Sequence, residues 1–387
     1  MGAGCAVEGK ADDEEKERGT RPPNPHAKEV HFFHEKMRFS EASQMLFEAT
    51  VRADAEAVSR AIRGLGDPNC CNHAGYRPLQ VAISCGCKCD LVDILLKAGA
   101  DINGHSKGTQ PPIVLAAGGG DVKVFEQLVE NGAELGVVDE AIGETCLMRA
   151  SERGHFAIVN SILSRNSPGY QQLLAMRKRN GKQGDGKTAL HLAAAKGYRA
   201  ICDRLLGVGA DPSAADRKGR TPLHETAVAN HVEAANLLLT FGSQPDFQDR
   251  EGNGPLHVAA EAGNVGFVDL LVRFSANVKV QRGDGISPLH LAARNGQDTI
   301  CLLLMSMKAD VNARGMEGDT PFSLAFHDAR VRCCRALLDN GAEVTAVEQK
   351  QWVPPFTEMS PKEHENFHKM RIEEDVSPEG WSELVGC

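Results

Sequence analysis

The string Gly181-Lys182-Gln183-Gly184-Asp185-Gly186-Lys187-Thr188 satisfies the template GxxxxGK[ST], in which backbone N–H groups cradle a nucleotide's phosphates and the lysine reaches their charge. That chemistry requires a buried strand running into the loop and a helix N-terminus behind it. Met176-Arg177-Lys178-Arg179-Asn180, just ahead of the loop, is too charged for such a strand, and no apolar strand ends in a magnesium-binding Asp. The tail of the match, Asp185-Gly186-Lys187-Thr188, also has a counterpart that lacks the rest of the template, Lys218-Gly219-Arg220-Thr221. Nucleotide binding is therefore only a distant alternative.

Histidines recur at His191, His224, His257 and His290, each 33 residues after the last. A metal ladder needs several donors within about 2 Å of one ion, whereas packed helical layers stand roughly 8 to 10 Å apart, so this spacing speaks for structure. Cys85, Cys87 and Cys89, with Cys70, Cys71 and His73 upstream, suggest zinc. A helix of about eight residues between the two groups holds them about 12 Å apart, and alternate-residue cysteines depart from the usual paired spacing. A redox-sensitive turn is the alternative for them. Arg282-Gly283-Asp284 spells an adhesion tripeptide, discounted here because it falls on a loop of a chain expected inside the cell.

The start, Met1-Gly2-Ala3-Gly4-Cys5-Ala6, resembles an N-myristoylation sequence at Gly2 with Cys5 placed for palmitoylation, although Ala6 stands where Ser or Thr is preferred. One myristoyl chain binds a membrane only marginally and the next charged segment is acidic, so firm attachment needs Cys5 as a second acylated residue. Arg177, Lys178, Arg179 and Lys182 form a basic cluster, read first as solvated loop charge and otherwise as a nuclear-import signal or a contact for an acidic partner. Ser167, Ser360 and Ser377, each followed by proline, are candidate phosphosites.

The elements carrying these residues are periodic. Thr188 to Gly209, TALHLAAAKGYRAICDRLLGVG, returns from Thr221, Gly254, Ser287 and Thr320 at intervals of 33 residues, each copy reading as helix, turn, helix, turn. Earlier, more divergent copies open near Ser43, at Arg77, near Pro111 and at Thr145. Ten residues beyond the period separate Thr145 from Thr188, an insertion near 167–187. Aromatic residues are only 5 % of the chain, which suits thin stacked layers better than one thick core. A net charge of −9 argues against a general phosphate-backbone binder. Cys202, Cys301 and Cys334 fall at apolar positions of second helices and read as small buried hydrophobes in a reducing compartment.

These copies resemble the ankyrin repeat, in their T-P-L-H openings, A-A pairs, Gly breaks, Leu-Leu pairs and G-A-D closings. The resemblance implies an all-α solenoid of about nine helix-turn-helix repeats with hairpin-like loops, whose concave face binds protein. It also implies that the repeated histidine is a hydrogen-bonding strut between a first helix and a neighbouring loop. Independently of the family, a lone unit cannot offset an entropy cost of about 1 to 2 kcal/mol per residue, so neighbours must share a core. Gly209, Gly242 and Gly341 end second helices where a left-handed residue is wanted, and Ser275 and Lys308 stand in the same place.

The expected organisation is an N-terminal segment, 1–43, largely unfolded; a repeat domain, 44–352; and an acidic tail, 353–387, with eight acidic residues against three basic and a short helix from Pro361. The expected function is a non-enzymatic scaffold or adaptor, with a regulatory or inhibitory subunit of an enzyme or transcription factor as the alternative. By family analogy the partner-binding residues are Lys196, Arg217, Lys218, Arg250, Glu251, Glu261, Arg282, Asp284 and Arg294. No catalytic residue, metal or cofactor is expected, nor nucleic acid. The chain is expected to be monomeric and cytoplasmic, with acylated membrane association or nuclear entry as further possibilities.

Overall fold

The computed structural model of the chain describes residues 41–86, 89–164, 170–179 and 185–344. Nineteen helices follow one another among these residues, eighteen of them in nine consecutive pairs. The pairs are α1 (Glu41–Val51) with α2 (Ala55–Arg63), α3 (Pro78–Ser84) with α4 (Cys89–Lys97), α5 (Pro112–Gly119) with α6 (Val122–Glu130), and α7 (Cys146–Arg153) with α8 (Phe156–Ser164). The lone helix α9 (Tyr170–Ala175) follows. Then come α10 (Ala189–Ala195) with α11 (Arg199–Gly207), α12 (Pro222–Ala229) with α13 (Val232–Thr240), α14 (Pro255–Ala262) with α15 (Val265–Arg273), α16 (Pro288–Arg294) with α17 (Asp298–Ser306), and α18 (Pro321–His327) with α19 (Val331–Asp339). First helices pack on first helices of adjacent pairs, and second helices on second helices. The all-α solenoid read from the period is the fold.

Local chemistry starts each first helix in the same way. Thr188, Thr221, Gly254, Ser287 and Thr320 sit in extended backbone as N-caps, and proline follows in the last four, its fixed φ already helical. Small side chains then let the layers close up: Ala193, Ala194, Ala260, Ala292 and Ala293 are all fully buried. Leu205, Leu238, Leu271, Leu304 and Leu337 are buried in the second layer, each worth about 1.5 to 3 kcal/mol against exposure.

Second helices end in the left-handed region, at φ 94° for Gly209 and 93° for Gly242. Ser275 (φ 63°) and Lys308 (φ 64°) adopt the same conformation despite their Cβ atoms, as their register predicts. Such a residue costs about 1 to 2 kcal/mol, partly offset in a glycine variant by the greater entropy of its unfolded chain. Lys308→Gly is therefore expected to stabilise the array by about 1 kcal/mol and raise its melting temperature; an unchanged or lower value would count against this origin of the strain.

The insertion rebuilds a repeat loop by another route. Leu173 and Leu174 anchor α9 in the core. Beyond it, Lys178 N–H donates to Lys187 O at 2.7 Å and Gly186 N–H to Lys178 O at 3.2 Å, closing a loop base. Arg179 N–H donates to Gly143 O in the preceding loop at 2.9 Å. Gly143 has φ 69°, and a Cβ there would lie 1.7 Å from Arg179 O, so glycine is what lets the inserted segment lie down.

Candidate protein-binding surface

The four periodic histidines are fully buried. Nδ1 of His191 accepts the N–H of Thr188 at 3.2 Å, which leaves the proton on Nε2, 3.0 Å from the carbonyl of Arg220. His224 repeats this between Thr221 and Asn253, His257 between Gly254 and Ile286, and His290 between Ser287 and Asp319. Each ring ties the opening of its own repeat to the loop ahead of the next, with both nitrogens engaged, as the strut reading implied. Burial pushes all four pKa values below the ordinary 6.5, in His257 to about 4, while the carbonyl bonds work in the opposite direction. Gln80 does the same task with an amide: Oε1 accepts Arg77 N–H at 2.7 Å and Nε2 donates to Gln110 O at 2.6 Å.

These struts position the loops, and side-chain carboxylates shape the tips. Asp216 Oδ1 accepts the N–H groups of Lys218 and Arg220, both at 2.8 Å, and Asp249 treats Glu251 and Asn253 alike. Adjacent tips are joined by backbone bonds, Arg217 N–H to Asp185 O at 2.8 Å and Arg250 N–H to Lys218 O at 2.9 Å. Arg217, Lys218, Arg250 and Glu251 are consequently exposed on a rail of fixed register. Lys196, Glu261 and Arg294 lie exposed at the ends of first helices, Arg294 Nε 3.6 Å from Asp328. Arg282 and Asp284 differ: they are half-buried and bonded to each other within one loop, Nε to Oδ1 at 3.2 Å, and Arg282 also donates to Asn253. The hydrogen bond from Arg282 holds the Asp284 carboxyl below its usual range.

Two buried carboxylates held in ion pairs, Glu144 and Glu225, escaped the sequence reading. Glu144, with 1 % of its side chain exposed, meets Lys178 Nζ at 2.6 Å and Arg149 Nη1 at 3.4 Å, and Arg149 also pairs with Glu152 at 3.1 Å. Glu225, 8 % exposed, meets Lys187 Nζ at 3.1 Å, while Arg220 Nη2 stands 3.5 Å away as an ion pair without a hydrogen bond. A signal was present: Glu225 occupies the place of Leu192, Val258 and Leu291, so an acid stands at an apolar position. The basic cluster is accordingly not mere solvated loop charge. Lys178 is locked onto Glu144, and Arg177 donates to the carbonyls of Ala215 and Gly186. Arg179 stays exposed, and Lys182 lies outside the described residues.

The phosphate-loop reading loses its lysine, since Lys187 is held by Glu225, and the described residues ahead of the loop are α9 and irregular backbone at 176–179 where a strand is needed. Gly181, Gln183 and Gly184 lie outside the described residues. Cys202, Cys301 and Cys334 are buried as expected, and burial pushes the Cys202 thiol up to about 12, keeping it protonated. Cys85 is exposed, Cys89 half-buried at the start of α4, and Cys87 outside the described residues. The acylation residues Gly2 and Cys5, the three Ser-Pro sites and the acidic tail are outside them too. No described helix is long and apolar enough to cross a membrane.

Comparison with known proteins rests on this same stack. The family pattern described as "Ankyrin repeats (3 copies)" matches seven overlapping stretches that together run over residues 46–348. The chain belongs to the ankyrin-repeat family. Among ankyrin-repeat relatives, it is 29 % identical to the RelA-associated inhibitor of Mus musculus over 103 residues, which are 27 % of this chain and 12 % of that protein. It is 31 % identical over 130 residues to the "Ankyrin repeat and KH domain-containing protein mask-1" of Caenorhabditis elegans, 33 % of this chain and 5 % of that one. Both matches thus take in a small part of the relative's length.

Proposed function

We propose that the chain is a non-enzymatic scaffold that binds a protein partner along its loop tips and first-helix ends. The observation that carries this reading is the rail itself: Arg217, Lys218, Arg250 and Glu251 are exposed, and backbone bonds between adjacent loops fix their spacing. A partner that reads several tips together meets side chains whose backbone is already ordered, which lowers the entropy cost of association. Arg217→Glu with Arg250→Glu is expected to weaken capture of the partner at least tenfold, measured by affinity purification and quantitative mass spectrometry. Full retention of every partner would remove this surface from consideration.

A regulatory or inhibitory role toward an enzyme or a transcription factor is the second reading, favoured by the similarity to the RelA-associated inhibitor. In that case the acidic tail masks a basic site on the target. Deleting residues 353–387 separates the two, because an inhibitor loses its effect while a scaffold keeps its partner. The chain acts in the cytoplasm as a monomer, and acylation at Gly2 and Cys5 brings it to a membrane. Gly2→Ala is expected to shift it to the soluble fraction, and unaltered membrane partitioning would remove the anchor from the proposal.

A further inference from the structure

A basin of about 480 Å³ opens where the insertion meets the fourth and fifth repeats. Its apolar lining comes from Val138, Ala175 and Met176, and its charged lining includes Arg177, Arg179 and Arg217. Among the described residues no carboxylate forms an ion pair with those three arginines. Glu144 is already held by Lys178 and Arg149, and Glu225 by Lys187 and Arg220. The buried carboxylates thus absorb the inner cations and leave the rim guanidiniums exposed, without a carboxylate partner among the described residues. Lys218 and Arg250 add further positive charge along the rail, with Glu251 as its one exposed acid, in a chain whose net charge is −9.

We propose that this basin docks an acidic peptide segment of a partner protein, one with an apolar side chain set among its carboxylates. The assignment rests on the scaffold reading and names the chemistry of the partner. The apolar side chain enters against Val138, Ala175 and Met176, where its area leaves water. Flanking carboxylates meet Arg179 and Arg217, whose planar forks match carboxylate geometry, and Arg177 is braced by its bonds to the carbonyls of Ala215 and Gly186. Charge alone would attract any polyanion. The apolar floor beside the guanidiniums is what selects a peptide with an anchor residue.

The test uses the full chain and a fluorescein-labelled peptide with one leucine between two runs of glutamate, followed by fluorescence anisotropy. Binding is expected to fall at least tenfold in Arg179→Gln with Arg217→Gln, and equally when the peptide's glutamates become glutamines or its leucine becomes serine. Should the double variant lose its fold by circular dichroism, Gln172→Glu serves instead, since it adds a repelling carboxylate to the same basin without removing an arginine. Equal binding of the glutamine peptide, indifference to the leucine, or unchanged affinity in the folded variants would each overturn the proposal. A tenfold gain in Glu373→Gln with Glu374→Gln and Asp375→Asn would mean that the chain's own tail occupies the basin, and the assignment to a partner would fall. Partners that stay captured while the peptide fails to bind would sink this assignment and leave the scaffold reading standing.

Discussion

Lys178→Met is expected to destabilise the junction of the fourth and fifth repeats by about 3 kcal/mol. Glu144 is 1 % exposed and depends on two cations, with Lys178 Nζ at 2.6 Å the nearer and Arg149 at 3.4 Å shared with Glu152. Without the ammonium, a carboxylate remains out of water with one long, divided contact. Removing one partner of a buried pair costs about 3 to 5 kcal/mol, and the surviving Arg149 places this case at the lower end. Burial works against the Lys178 charge, and the hydrogen bond to Glu144 with the surrounding carboxylates outweighs it, holding the lysine's pKa above its usual value.

A repeat array opens locally, so the readout is native-state hydrogen exchange at the amides of α7 and α10. A loss of about 3 kcal/mol corresponds to exchange faster by on the order of a hundredfold there. Protection in α16 and α18, several repeats away, should stay within about threefold. Glu144→Gln combined with Lys178→Met should recover most of the loss, because the neutral pair leaves no buried charge. A double variant as unstable as the lysine variant would place the effect in packing rather than in the ion pair.

The helices and their caps were legible because they repeat a local rule. A threonine or serine cap, a proline, an Ala-Ala pair and a Leu-Leu pair recur at one spacing, and each has its effect within a few residues of itself. The left-handed backbone at Ser275 and Lys308 followed from register alone, since both stand where neighbouring copies carry glycine. The ionic core was not legible for the opposite reason. Lys178 meets Glu144 from 34 residues away along a path set by the insertion, and Lys187 reaches Glu225, 38 residues on in the next repeat, where nothing in the shared pattern pairs a cation with an acid. Basic residues in a segment of irregular length read as solvated until its path is known. The basin beneath α9 depends on that path as well, whereas Arg217, Lys218 and Arg250 were visible as tips because their loops keep the period.

Replacing His191, His224, His257 and His290 together by glutamine is expected to leave the fold intact and remove most of its pH dependence between pH 7 and 5. Each imidazole accepts a backbone N–H on Nδ1, so a proton there would confront another donor inside the core. The folded state therefore disfavours the charged ring, and the pKa of each lies below the ordinary 6.5. Below that pH the unfolded chain binds more protons than the folded one, so stability is complete above about 6.5 and is lost as the pH falls toward the folded values. For His257, whose folded pKa is about 4, the loss amounts to roughly 2 kcal/mol by pH 5 and roughly 3 kcal/mol by pH 4. The three others add to it in the same direction. Glutamine is the apt replacement because the chain already uses it: Gln80 spans from Arg77 N–H to Gln110 O as the rings span between their own pairs of repeats, and it does not titrate. Urea denaturation from pH 7 to 5 should show the wild-type midpoint falling steadily and that of the quadruple variant nearly level. Parallel decline of the two would assign the acid sensitivity to carboxylates and not to the struts.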